Sequence, residues 1–124
     1  MVSQQDINEI VKFFFTFQLT NKLYHWNTTS YARHNASDRF NSVLGDLIDK
    51  FIEVFIGRYK LKPLISSIKI ESTYVDDNGI VILYEQAKKY LETFQIKFTD
   101  TDLLNIRDEL LAEVNKTLYL FRLN

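Results

Sequence analysis

The stretch that decides the fold is residues 40–59, FNSVLGDLIDKFIEVFIGRY, in which apolar side chains recur every three or four positions. The apolar positions are Phe40, Val43, Leu44, Leu47, Ile48, Phe51, Ile52, Phe55 and Tyr59. This spacing follows the period of an α-helix and not the two-residue alternation of a strand. The sequence therefore predicts a long helix that begins between Ser30 and Ser37 and ends near Tyr59.

Three other segments carry the same helical spacing. The first runs from Asp6 to Asn27 and is apolar on more than one side, which indicates two packing neighbours. The third predicted helix covers Ile80 to Phe94, and the fourth runs to Phe121 behind the capping residues 99–102.

The connection between the second and third helices, residues 60–79, is long and contains Pro63, the only proline. A structureless loop of this length is uncommon, so we expect a short helical turn around Leu64–Ile68. Four helices with one long connection predict an all-α, four-helix bundle with a crossover between helices 2 and 3. Residues 1–124 are expected to form one domain, since a single domain usually has about 100–150 residues.

The amino-acid composition argues against several classes of function. The chain has no cysteine, which excludes disulfides and thiolate metal sites. Its net charge of −1 is unlike that of a strongly basic nucleic-acid binder, and the modest basic patch at Lys60, Lys62 and Lys69 does not change that expectation. The apolar runs are too short to span a membrane and no secretory leader is recognisable, so we expect an intracellular, cytoplasmic protein without a membrane partner.

The residues that could carry chemistry lie around the start of the second helix. His25 and His34 are the only histidines, and Asp38, Asp49 and Glu53 follow. At about 100° per residue, all but His25 fall within an arc of about 100° on one helix. Imidazole and carboxylate ligands suit iron, manganese or zinc. The alternative is a packed histidine beside a solvated acidic face, with the intervening Lys50 neutralising one of the acids.

The run Leu23-Tyr24-His25-Trp26-Asn27, followed by His34, Asp38 and residues 46–53, resembles the Dps-type miniferritins of the ferritin-like superfamily. That family carries a His-Trp pair late in its first helix and a His with an Asp four residues later near the start of the second. It also carries a D-x-x-x-E turn further along the second helix. The stretch between His25 and His34 is shorter here by about three residues, which is a departure from the family pattern.

This resemblance implies a ferritin-like fold and a ferroxidase-type iron site between subunits related by a two-fold axis. His25 of one subunit would bind iron together with Asp49 and Glu53 of the other, while His34 and Asp38 would hold a second, weaker metal or an ordering water. It also implies oxidation of iron(II), usually by peroxide, in a homo-oligomer that is a dimer and, by extension, a dodecameric shell. The function implied is protection against iron and peroxide.

A second resemblance, over residues 31–34 and 105–115, is to small uncharacterised ferritin-like proteins of large DNA viruses. It implies a viral relative of the same fold, located in the host cytoplasm or the virion. The competing hypothesis is a non-enzymatic structural or assembly protein. Self-association is expected under either hypothesis, because ten Phe and seven Tyr are more aromatic surface than one small core readily hides.

Overall fold

A computed structural model describes residues 1–123, and it confirms the predicted all-α bundle of four long helices. The long helices are α1 (Gln4–Asn27), α2 (Tyr31–Tyr59), α3 (Asp77–Glu92) and α5 (Thr101–Phe121), with the single-turn helix α4 (Phe94–Lys97) before the last. No helix within residues 1–123 has both the length and the apolar character needed to cross a membrane.

Side-chain caps fix the first two helix starts. Ser3 and Asp6 form a capping box, in which the Ser3 amide donates to Asp6 Oδ2 at 2.8 Å and the Asp6 amide donates back to Ser3 Oγ. Ser30 caps α2 by accepting a hydrogen bond from the Arg33 amide at 3.2 Å. The link from α1 to α2 is only residues 28–30, so the two helices pack side by side and run in opposite directions.

The prediction of a helical turn around Leu64–Ile68 is wrong, because the helical turn in this connection lies at Ser72–Tyr74. Side chains of α1 hold the earlier segment in an open conformation. Gln4 Nε2 donates to the Lys62 carbonyl at 2.6 Å, and the Leu64 amide donates to Asn8 Oδ1 at 2.8 Å. Backbone groups that a turn would pair locally are thus satisfied by another helix.

Helix α3 begins at Asp77, three residues before the predicted start at Ile80. Asp76 caps it, since Asp76 Oδ1 accepts from the Gly79 amide at 2.7 Å. The predicted end at Phe94 is also shifted: α3 stops at Glu92, and Phe94 instead opens α4. The apolar periodicity did not show either boundary, because caps and breaks lie outside the apolar stripe.

Several aromatic rings from different helices meet edge to face in the core. Phe17 and Tyr84 lie 5.0 Å apart between ring centroids, and Phe14 and Phe51 lie 5.6 Å apart. Such pairs add about 0.5–1.5 kcal/mol each beyond the burial of their area. Because these rings come from α1, α2 and α3, they fix the relative positions of the helices that carry the candidate site.

Four helix ends meet at one end of the bundle. Arg33, at the start of α2, donates to Tyr24 Oη near the end of α1, to the Phe121 carbonyl at the end of α5, and to the Asp77 carbonyl at the start of α3. Asp77 Oδ1 in turn accepts from the hydroxyls of Tyr24 at 2.7 Å and Thr28 at 3.0 Å.

At the opposite end, the last turn of α2 meets the start of α5. Arg58 pairs with Asp102 at 2.9 Å, and Tyr59 donates to Asp100. Lys97 of α4 lies 3.8 Å from Glu9 near the start of α1. Helix α2 packs on α1 and α5, and α3 packs on the same two helices.

Candidate functional site

The two histidines form a stacked pair where α1 turns into α2. Their ring centroids are 3.9 Å apart and the ring planes are inclined by 19°. His25 Nδ1 lies 2.8 Å from the His34 carbonyl oxygen, and His34 Nδ1 lies 2.9 Å from the His25 carbonyl oxygen. A carbonyl oxygen only accepts, so each Nδ1 carries the hydrogen and donates it. In the neutral rings the lone pair is therefore on Nε2, the nitrogen that a metal would use.

Asp38 lies beside this pair, one turn after His34 on α2. Its Oδ1 atom is 3.8 Å from His25 Nε2, which is too long for a hydrogen bond but close enough for an ion pair when His25 is protonated. His25 is 8% exposed, whereas the Asp38 side chain is 67% exposed. The pair thus forms a partly buried imidazole next to a carboxylate at the surface.

Asp49 and Glu53 lie apart from this cluster. They are exposed on α2, and Asp49 is about 16 Å further along the helix than Asp38. Neither makes an ion pair with any residue from 1 to 123. Lys50, between them, lies 3.9 Å from Glu109 of α5, so the idea that Lys50 neutralises one of these two acids is wrong.

Three of the five predicted ligands are therefore gathered in one chain, and the other two are not. Within residues 1–123, no group of three or more His, Cys, Asp or Glu side chains is arranged to hold a metal ion. His25, His34 and Asp38 are thus neighbours without forming a complete coordination sphere on their own.

Ser37 is a residue of this cluster that the sequence reasoning missed as a neighbour of the histidines. It is fully buried, its hydroxyl donates to the Arg33 carbonyl at 2.8 Å, and the same oxygen lies 3.4 Å from His25 Nδ1. A serine three residues after His34 was the available signal, since positions three apart share a helix face.

A cleft at the same end of the bundle includes two carboxylates that already have structural tasks. It lies between residues 27–29 and residues 75–78, with Asp76 and Asp77 in its wall. Asp76 caps α3, and the hydrogen bond from Tyr24 is the main factor that holds the pKa of Asp77 below its usual value. Burial raises the pKa of Tyr24 itself, so Tyr24 remains a neutral donor.

Comparison with known proteins places the chain in a family without giving it a function. The chain belongs to a family of unknown function, DUF5856, whose model matches residues 25–121. The match begins at His25 and takes in all five predicted ligands. Searches of curated proteins and of solved structures each returned no significant match.

Proposed function

We propose that this DUF5856 member is a Dps-like iron-binding protein with a ferroxidase-type site shared between two subunits. The observation that supports this most is the cluster of His25, His34 and Asp38, three of the ligands that the resemblance to the Dps-type miniferritins implies. Their gathering requires α1 and α2 to pack in one particular register. Protection against iron and peroxide would be the result in the cell.

The hydrogen bonding of the imidazoles supports ligand roles. Because both Nδ1 atoms donate to backbone carbonyls, the two rings are oriented and each Nε2 is the free nitrogen. His25 would bind iron as a neutral imidazole, with Glu53 and Asp49 of a second subunit completing the site. His34 and Asp38 would hold a weaker metal or an ordering water.

Iron is the substrate in this proposal. Each peroxide accepts the two electrons given by a pair of iron(II) ions, takes up two protons and is reduced to water. The protein's part is to bind both irons close together through mixed nitrogen and oxygen ligands, a set that accommodates both oxidation states. Asp49 and Glu53, which are one turn apart, would supply the negative charge that favours iron(III).

The ends of the helices support a ferritin-like connection between α2 and α3. Arg33 and Asp77 connect the starts of these two helices at one end of the bundle, whereas Arg58 near the end of α2 pairs with α5 at the other end. Residues 60–76 would then run the length of the bundle as a crossover. A bundle with one such crossover is the ferritin-like topology.

The test is an anaerobic iron(II) titration followed by peroxide, monitored by the ultraviolet absorbance of iron(III). The wild type should oxidise iron(II) faster than buffer does, and His25→Ala and Glu53→Ala should each abolish the excess rate. Asp46→Ala is the matched control, because Asp46 is an exposed acid of the same helix outside the proposed ligand set. No binding and no oxidation above background would contradict the proposal.

One observation favours the second candidate, a structural or assembly protein. Both Nδ1 atoms of the histidines already bond to the backbone, and the described residues of one chain hold no complete metal group. In that case the stacked pair would serve to fix the α1–α2 turn. Loss of assembly in His25→Ala, with no metal bound to the wild type, would decide for this function.

A further inference from the structure

Asn78 is the one asparagine of the sequence that is followed by glycine, and this pair lies in the first turn of α3. Asn78 is exposed, and it lines the cleft between residues 27–29 and residues 75–78. In such a pair the backbone nitrogen of the glycine can attack the Cγ atom of the asparagine, because glycine has no Cβ atom to hinder the approach. The pair is therefore a candidate site of spontaneous covalent modification.

The reaction needs only this chain and water. The glycine nitrogen forms a bond to Cγ, and the bond from Cγ to the side-chain nitrogen breaks. That nitrogen takes the proton of the glycine amide and leaves as ammonia, so a cyclic imide remains. Water then opens the imide at either carbonyl. One opening gives aspartate, and the other gives isoaspartate, in which the chain runs through the side chain and is longer by one carbon.

The cap of α3 opposes this reaction in the folded protein. The Gly79 amide donates to Asp76 Oδ1 at 2.7 Å, and the Ile80 amide donates to the Asp76 carbonyl at 2.9 Å. Attack on Cγ needs a rotation of the backbone between Asn78 and Gly79 away from the helical conformation, which these hydrogen bonds resist. The Gly79 nitrogen can therefore reach the Asn78 side chain only when the first turn of α3 is open.

The rate of modification should follow how often this turn opens. Helix ends open locally at a smaller cost in free energy than global unfolding requires. When a segment opens and closes faster than the chemistry proceeds, the rate tracks the population of the open form. The contacts of the first turn, above all the Asp76 cap, therefore control the rate at Asn78.

The packing around Gly79 keeps the reactive pair in the sequence. A Cβ atom at this position would lie within 3 Å of backbone atoms of Thr73 and Tyr74, so a larger residue would displace the turn at residues 72–74. The fold thus requires glycine after Asn78, and the same glycine supplies the unhindered nitrogen.

Modification would alter the junction of helix ends next to the histidines. Asp77, which precedes Asn78, accepts from the Tyr24 hydroxyl at 2.7 Å, and its carbonyl accepts from Arg33 at 2.9 Å. Tyr24 and Arg33 each directly precede one of the two histidines in the sequence. An isoaspartate would lengthen the backbone immediately after these contacts. Either product also adds a negative charge beside Asp76 and Asp77, where like charges repel.

We propose that Asn78 is a site of spontaneous conversion to aspartate and isoaspartate, controlled by opening of the first turn of α3, and that the isoaspartate form loosens the junction of helix ends. The inference does not depend on the iron function, because every step uses this chain and water alone. The loss of ammonia is irreversible, so the modified fraction grows with the age of the protein.

The experiment is peptide mapping of the full chain by mass spectrometry after incubation in mildly alkaline buffer, with the aspartate and isoaspartate products separated. The folded wild type should be modified more slowly than the same chain in denaturing urea. Asp76→Ala should raise the rate in the folded chain about fivefold, the change in open population that loss of a typical cap produces. Asp76→Ser, which can cap the helix again, should return the rate toward that of the wild type.

Ser3→Ala is the matched control, because Ser3 caps α1 at the opposite end of the bundle and its loss has a similar cost. It should leave the modification of Asn78 unchanged. Equal acceleration by Ser3→Ala and Asp76→Ala would mean that the reaction needs global unfolding, and would overturn control by the first turn. A folded wild type as fast as the chain in urea, a folded Asp76→Ala no faster than the wild type, or no product at Asn78 would also overturn the proposal.

Amide hydrogen exchange tests the effect on the junction. Amides at the start of α3 and around Thr28 should exchange faster in aged wild type enriched in isoaspartate than in fresh protein. Asn78→Gln, aged for the same time, should not change, because glutamine would have to form a larger ring. Asn78→Asp adds the charge without lengthening the backbone, and should change exchange less than isoaspartate does. Unchanged exchange in the isoaspartate-enriched protein would overturn the loosening of the junction.

Discussion

Two glycine substitutions should change stability in opposite directions, and the difference tests how residues 72–74 pack on α3. Gly57 is exposed in α2, and a Cβ atom there would meet no other atom within 4 Å. Alanine is favoured over glycine by about 1 kcal/mol within a helix. Gly57→Ala should therefore raise the free energy of unfolding by about 0.5–1 kcal/mol.

Gly79 in the first turn of α3 is buried, and its surroundings should make the same substitution destabilising. A Cβ atom there would lie 2.0 Å from the Thr73 carbonyl oxygen and 2.8 Å from the Tyr74 Cα atom. Both neighbours are backbone atoms of the short helical turn, so the turn as a whole would have to move. Forcing extra volume into a packed site costs about 1–3 kcal/mol. Displacing α3 would also disrupt the hydrogen bond of the Asp76 cap, which contributes about 1 kcal/mol to the free energy of unfolding.

After the helix-propensity gain of about 1 kcal/mol is subtracted, Gly79→Ala should lower stability by about 1–3 kcal/mol. The assay is urea denaturation followed by far-ultraviolet circular dichroism, with both variants and the wild type at one protein concentration. Equal concentrations matter because any self-association would make the apparent stability depend on protein concentration. If Gly79→Ala stabilised the protein as Gly57→Ala does, the packing of the connection against α3 would be refuted.

Three further predictions concern buried and charged groups. Asn21, fully buried, accepts from the Tyr84 hydroxyl, so Asn21→Ala should leave that hydroxyl without a partner and cost about 1–3 kcal/mol in urea denaturation. The pKa of Asp77 is lowered mainly by the Tyr24 hydrogen bond, so its contribution is present above the ordinary carboxyl pKa of about 4 and is lost as pH falls. Melting temperatures measured from pH 6 downward, to about pH 2, should therefore fall less steeply for Asp77→Asn than for the wild type. Burial is the main factor that raises the pKa of Tyr90 to about 12, so its contribution is present below about pH 10 and is lost toward pH 12. A phenolate absorbance titration should show a late-ionising group that is absent from Tyr90→Phe.

The helices could be predicted because each one carries its own periodic apolar stripe. Residues 40–59 need no knowledge of the rest of the chain to be recognised as a helix. The connection could not be predicted in the same way. Its backbone is held by Gln4 and Asn8, which are more than fifty residues away in sequence, and no local pattern records such a partner. The turn was therefore expected at Leu64–Ile68 and lies at Ser72–Tyr74.

The candidate site could likewise be predicted only in part from the sequence. His34 and Asp38 are four residues apart on one helix, so their proximity follows from the period of the helix. The stacking of His25 on His34 does not follow from it, because it depends on how sharply residues 28–30 reverse the chain. The link between the two histidines is about three residues shorter than in the miniferritin pattern, and the two rings are stacked.

The spacing on α2 also limits what one chain can do. Eleven residues from Asp38 to Asp49 are about three helical turns, which keeps the two carboxylates on one side of the helix but separates them by about 16 Å. A straight helix cannot shorten that distance, and Glu53 lies further still. Any chemistry that uses the histidines together with Asp49 and Glu53 therefore requires a second chain, placed so that its acids reach the first chain's His25.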